Sequence, residues 1–129
     1  MSTLVTATVK SNSSSPIAFQ NSSGTEVGRM CRAWVNFNGK NTVAIRAQFN
    51  VSSITDNGTG NYTVNFTTAM VDANYSAVVS GTETVGSSIL GNAGTGRYGA
   101  NTTSAARVYT FGSQFDPVDA ELVHVAIFR

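Results

Sequence analysis

The chain is poor in the residues that do chemistry: 129 residues hold one cysteine, one histidine, one tryptophan and two prolines. A single Cys excludes an intramolecular disulfide framework. One Cys with one His also excludes every zinc site built from those two residue types alone. Charge is scarce too. Only 12% of residues are charged, about half the usual share, and 8 basic against 7 acidic residues leave a formal net charge of +1. With no basic cluster, neither nucleic acid nor an anionic membrane is an expected partner. No apolar run approaches the ~20 residues of a membrane helix. The first ten residues lack a basic head and an apolar stretch, which predicts that they are not a signal peptide and that the chain is soluble and made in a cytoplasm.

What is abundant is Ser, Thr and Asn, together a third of the chain, with 12 Gly and 41% hydrophobic residues. That apolar content suffices for a core, and the glycines point to many turns. The periodicity is two. Cys31, Ala33, Val35 and Phe37 alternate with Arg32, Trp34, Asn36 and Asn38; Val43, Ile45, Ala47 and Phe49 alternate with Ala44, Arg46, Gln48 and Asn50. Asn38-Gly39-Lys40-Asn41 between them is turn chemistry, so the pair reads as a hairpin. Val51–Ile54, then Asp56-Asn57-Gly58-Thr59-Gly60, then Tyr62, Val64 and Phe66 repeat the pattern, and Tyr75, Ala77 and Val79 follow a break at Asp72-Ala73-Asn74. Further strands are expected at 4–10, 84–90, 107–111 and 122–128. The prediction is an all-β chain: a single antiparallel β-sandwich of about eight strands with little or no helix. Residues 1–28 read as a loop-rich N-terminal arm with a short extended piece at 17–19, and residues 29–129 as the sandwich domain. Residues 91–104 read as one long Gly-rich connection.

Each catalytic motif has a plainer explanation. Gly91–Gly96 fits the first half of a phosphate-binding loop, but Arg97-Tyr98 stand where Lys and Ser/Thr belong and no helix follows. Asp56–Asn61 resembles a calcium loop only until Gly58 and Gly60 occupy ligand positions, so a hairpin turn is expected. His124 lies mid-strand as a surface or interface residue, Cys31 reads as a buried small hydrophobe, and the seven acidic residues are dispersed among turns. Asn-x-Ser/Thr triplets recur at Asn12, Asn21, Asn50, Asn57, Asn61, Asn65, Asn74 and Asn101, as so polar a chain produces by chance. No enzyme, no metal site and no cofactor is expected.

The run Cys31-Arg-Ala-Trp-Val-Asn-Phe-Asn-Gly39, with Val43-Ala-Ile-Arg46 and Phe49-Asn-Val-Ser-Ser-Ile-Thr-Asp-Asn-Gly-Thr-Gly-Asn-Tyr-Thr-Val-Asn-Phe66, resembles a β-rich domain recurrent in tailed-bacteriophage virion proteins of the tail-fibre type. Asp72-Ala-Asn-Tyr-Ser76 and Val125-Ala-Ile-Phe-Arg129 share the likeness, which spans residues 30–80 and the C-terminal few. The resemblance implies a non-enzymatic virion protein, a homotrimer whose variable loops meet a bacterial surface, and it supplies no binding residues; few charges and much Ser, Thr and Asn suit polar contacts to a surface saccharide. The alternative is a capsid or baseplate decoration protein with no ligand of its own, favoured by a short chain that starts at Met1. On either reading the arm 1–28 is expected to join other virion proteins by adding strand 4–10 to a neighbouring sheet edge. Arg97, Tyr98 and Asn101 in the 91–104 loop are the expected receptor contacts, since Arg offers several donors and Tyr a flat face with one hydroxyl. Trp34, Tyr109 and Phe111, on the less apolar faces of their strands, are the expected oligomer interface, with Trp34 equally readable as core of the opposite face.

Overall fold

Period-two alternation punctuated by Gly and Asn gives strands throughout. The computed structural model describes residues 3, 5, 6, 8–11, 17–82, 92–95, 99–112 and 114–129, and among them there is no helix. Ten strands form: β1 (Ala18–Gln20), β2 (Glu26–Arg29), β3 (Cys31–Asn38), β4 (Ala44–Phe49), β5 (Val51–Asp56), β6 (Asn61–Phe66), β7 (Ser76–Thr82), β8 (Asn92–Thr95), β9 (Ala105–Phe111) and β10 (Leu122–Phe128). The chain divides into two units, Met1–Met30 and Cys31–Arg129.

The first unit holds the β1–β2 hairpin. Its turn is organised by Asn21, whose Oδ1 accepts from the backbone N of Ser23 (3.1 Å) and Thr25 (2.9 Å), with Gly24 at φ +80°. Where a strand was expected at 4–10, none of the described residues, 5, 6 and 8–10, is in one. The arm carries two short strands where one extended piece was expected.

The second unit is two four-stranded antiparallel sheets, β4-β3-β10-β7 and β5-β6-β9-β8. Successive segments of the chain, β3–β4, β5–β6, β7, β8–β9 and β10, alternate between the two sheets, and both sheets turn their apolar faces to one core. Ala33, Val35, Phe37, Val123, Val125 and Ile127 come from the first sheet; Val51, Tyr62, Val64, Phe66, Ala106 and Val108 come from the second. The result is sandwich-like, with eight strands in the two sheets of this unit. Two differences from the sequence reading have local causes. Residues 92–95, expected within a loop, form edge strand β8 against β9. In β4, Phe37 pairs with Ile45 but Asn36 pairs with Ala47, so one extra residue bulges at Arg46. A one-residue slip turns every later side chain over. Val43 and Ile45 therefore pack on the core, while Ala47 and Phe49, expected inward, face solvent. The expected strand 84–90 lies outside the described residues.

The sheets are tied by polar contacts. Tyr62 meets Phe37 edge-on, centroids 5.2 Å apart at 73°. Its hydroxyl oxygen lies 2.9 Å from both the Gly39 carbonyl oxygen and Asp119 Oδ1, so its one proton is directed between two acceptors. That same Oδ1 accepts from the backbone N of Gly60 at 2.7 Å, and the Gly39 N donates to Ala120 O at 2.9 Å. Gly60 sits at φ +63°, and an added Cβ would lie 2.4 Å from the Thr110 carbonyl. Gly58, at φ +109°, faces open space. Asn50, at φ +55°, turns the chain from β4 in one sheet to β5 in the other. Its amide N donates to Arg32 O and Thr68 O, and its Oδ1 accepts from Thr68 N.

Two stability tests follow from this geometry. Gly58→Ala meets only the left-handed backbone penalty of about 1–2 kcal/mol, whereas Gly60→Ala adds a backbone collision and costs more than about 4 kcal/mol; urea midpoints measure both. Equal losses would show that the Gly60 cradle yields. Burial, with the Asp119 hydrogen bond adding, holds the Tyr62 hydroxyl above the ordinary value of 10, and burial alone pushes Tyr75 up to about 12. Each folded-state value lies above the unfolded one, so the contribution is fully present below pH 10 and is lost as pH rises above 10, that of Tyr75 through about 12 and that of Tyr62 beyond it. Urea stability therefore falls across that window, and less steeply in Tyr75→Phe. An unchanged slope in the variant would refute the assignment.

Candidate functional site

The alternation that sends β3, β7 and β10 residues into the core leaves the intervening side chains on the first sheet's outer face. Antiparallel register then aligns them in rows. Trp34 lies opposite Phe49 on one side and Ala126 on the other, and Ala126 lies opposite Val78. One step along, Asn36 lies between Ala47 and His124, and His124 lies opposite Ser80. An apolar row thus runs beside a more polar one, ~7 Å away, two residues along each strand. Ala126 offers only a methyl between Trp34 and Val78, and the dip is a shallow groove of about 360 Å³. Its walls are solvent-facing: Trp34 is 41% exposed and Val78 59%, with Phe49 at 55% beyond Trp34. Asn36, half-buried, contributes to the lining, and its Oδ1 is buried without a hydrogen-bond partner. An orphaned carbonyl oxygen of this kind is uncommon, because leaving it unpaired costs about 1–3 kcal/mol.

The second sheet's outer face carries a different arrangement. Tyr109 and Phe111 on β9 stack at 5.2 Å and 23°, and Phe115 continues the stack on Phe111 at 5.4 Å and 21°. Phe115 is held at φ +63°, rare for a bulky residue, and is largely exposed. Gly94 lies opposite Tyr109 in the β8–β9 pair, where a Cβ would stand 2.9 Å from the Tyr109 hydroxyl oxygen. Only glycine lets that ring lie across the edge strand.

The residues expected to act together are thus separated. Trp34 is on the outer face of one sheet, and Tyr109 with Phe111 on the outer face of the other, so the three form no single patch. Trp34 is not core, which resolves its two readings. Arg97 and Tyr98 lie outside the described residues. Asn101 is half-buried and its Oδ1 accepts from the Arg107 backbone N at 3.2 Å, a loop-shaping contact. Cys31, expected buried, is half-buried, its Sγ 3.1 Å from the Ala33 carbonyl it donates to. His124 is exposed on the groove's polar row. Asn36, Phe49 and Phe115 were missed: Asn36 sat in the correct outward set but bore no signal of an unpaired oxygen, and Phe49 was turned over by the bulge.

Acidic side chains hold turns. Asp56 accepts from Gly58 N at 2.9 Å, as a hairpin turn requires, and Asp72 accepts from Asn74 N at 2.8 Å. Asp72 also takes the Arg129 guanidinium, whose hydrogen bond holds its carboxyl below the usual range. Among the described residues no group of three His, Cys, Asp or Glu is placed to hold a metal ion. No protein-family model, curated protein or solved structure matches this chain.

Trp34 is the single tryptophan, so its emission reports the groove alone. Acrylamide is expected to quench it readily in the folded protein, and Trp34→Ser to change urea stability by less than about 1 kcal/mol. Protection from quencher, or a loss of the size seen for core aromatics, would place Trp34 inside.

Proposed function

We propose that the chain is a non-enzymatic structural protein of a tailed-bacteriophage virion, of the tail-fibre type, that contacts the host surface. The observation that carries this reading is aromatic surface outside the core on both sheets, exposed at Trp34, Phe49 and Phe115 and half-buried at Tyr109 and Phe111. Trp34 with Phe49 lies on one side, and Tyr109, Phe111 and Phe115 on the other. Such faces are suited to contact, since aromatics bury large area at low conformational cost. The sequence likeness supports the same class. Its residues fall on β3, β4, the β5–β6 hairpin, the entry to β7 and β10, which build the scaffold. Assembly as a homotrimer, with the arm 1–28 joining other virion proteins, completes the proposal.

The decoration-protein reading remains the competitor, because Trp34 and Phe49 lie on a sheet face and only Phe115 lies in a loop. The two differ in place and in effect. Gold-labelled antibody against this chain is expected at the fibre tips of intact particles, and the soluble protein is expected to compete with particles for adsorption to the host bacterium. Label over the capsid, with no competition, would replace the fibre reading with the decoration reading.

A further inference from the structure

We propose that the groove on the outer face of β4-β3-β10-β7 is a binding site for a neutral saccharide ring, stacked on Trp34 and hydrogen-bonded by Asn36, Ser80 and His124. This rests on the host-contact reading and places that contact on the sheet, away from the 91–104 loop.

The two cross-strand rows define the ligand. Trp34, Ala126 and Val78 make a wall, a floor and a second wall of apolar surface; Asn36, His124 and Ser80 make a parallel line of hydrogen-bonding groups. A ligand that satisfies both is amphiphilic across its own width, with one apolar face and hydroxyls along an edge. A pyranose has that shape, its axial C–H face matching the indole and its hydroxyls reaching the polar row ~7 Å away. Among the described residues no Asp, Glu, Lys or Arg lines the groove. A charged ligand would find no counter-charge there, and a purely apolar one would cover the polar row without pairing it.

Asn36 Oδ1 sharpens the choice. It is an acceptor with no donor in the fold. Asn36 also lines the groove, and its oxygen lacks the donor that a buried acceptor requires. At about 360 Å³ the groove is at the small end of ligand sites, the size of one or two sugar residues.

The test uses the full chain and the emission of Trp34. Methyl glycosides of glucose, galactose, mannose and N-acetylglucosamine are titrated separately to millimolar concentrations. At least one is expected to shift the emission saturably. Ala126→Leu, which fills the floor on an exposed face, is expected to abolish the shift, and Asn36→Leu to weaken binding about tenfold or more. Both variants should keep the far-ultraviolet circular dichroism of the parent. No saturable shift with any of the four sugars overturns the proposal, as does binding that persists unchanged in Ala126→Leu. Emission that shifts with protein concentration alone, with a matching rise in mass by light scattering that Ala126→Leu abolishes, also overturns it and assigns the face to contact between copies. The two readings fail separately. If Ala126→Leu still blocks particle adsorption as the parent does, the saccharide groove is wrong while host contact stands; if the parent binds sugar but never competes for adsorption, host contact is wrong while the groove stands.

Discussion

The fold depends on one shared oxygen. Asp119 Oδ1 accepts from the Tyr62 hydroxyl on β6 and from the Gly60 amide at the start of the same strand. Tyr62 in turn reaches the Gly39 carbonyl in the β3–β4 turn. Three segments far apart in sequence are thereby fixed at one end of the core, where the apolar contacts alone would leave the sheets free to slide. Apolar burial is non-directional; a carboxylate oxygen with two donors is not. Gly60 and Gly39 are required there for close approach, since a Cβ at either would collide with the groups it brings together.

The strands were legible because the residues that build them alternate without ambiguity. Ala33, Val35 and Phe37, or Tyr62, Val64 and Phe66, can only face one way if a core is to exist, and they do. The boundaries of β10 were also plain, since Leu122–Phe128 alternates between turn-bearing flanks. Where the reading failed, the cause was geometry with no local signature. Nothing in Ala44–Phe49 announces that Arg46 is an extra residue against β3, yet that bulge decides which side of the sheet receives Phe49. Nor does a Gly-rich stretch announce that it will pair: β8 forms because β9 offers an open edge and Gly94 leaves room for a tyrosine ring.

The candidate site was half legible for the same reason. Period two put Trp34 and Asn36 together on an outward face, so the choice of Trp34 as a contact residue came from the sequence. Its neighbours came from other strands. Ala126, Val78 and His124 join it only through the register of β10 with β3 and β7, a relation between segments that no single stretch carries. Tyr109 and Phe111 show the converse: the sequence reads them as companions of Trp34, but β9 belongs to the other sheet and carries them to its outer face.

The strand order has a consequence for how the chain is made. β10 lies between β3 and β7 in its sheet, so the middle of that sheet is supplied by the segment that follows all the others in the chain. As the polypeptide leaves the ribosome, β3–β4 and β5–β6 can close as local hairpins, but β7 has no strand to pair with in its sheet until residues 122–128 emerge. Completion of the core therefore awaits contacts of high sequence separation, which are slow to form and leave strand edges bare in the interval. The outward-facing aromatics of β3 and β4 are exposed throughout that interval, beside an edge of β3 that β10 has yet to cover. The vulnerability of this unit is therefore concentrated in the interval before residues 122–128 emerge.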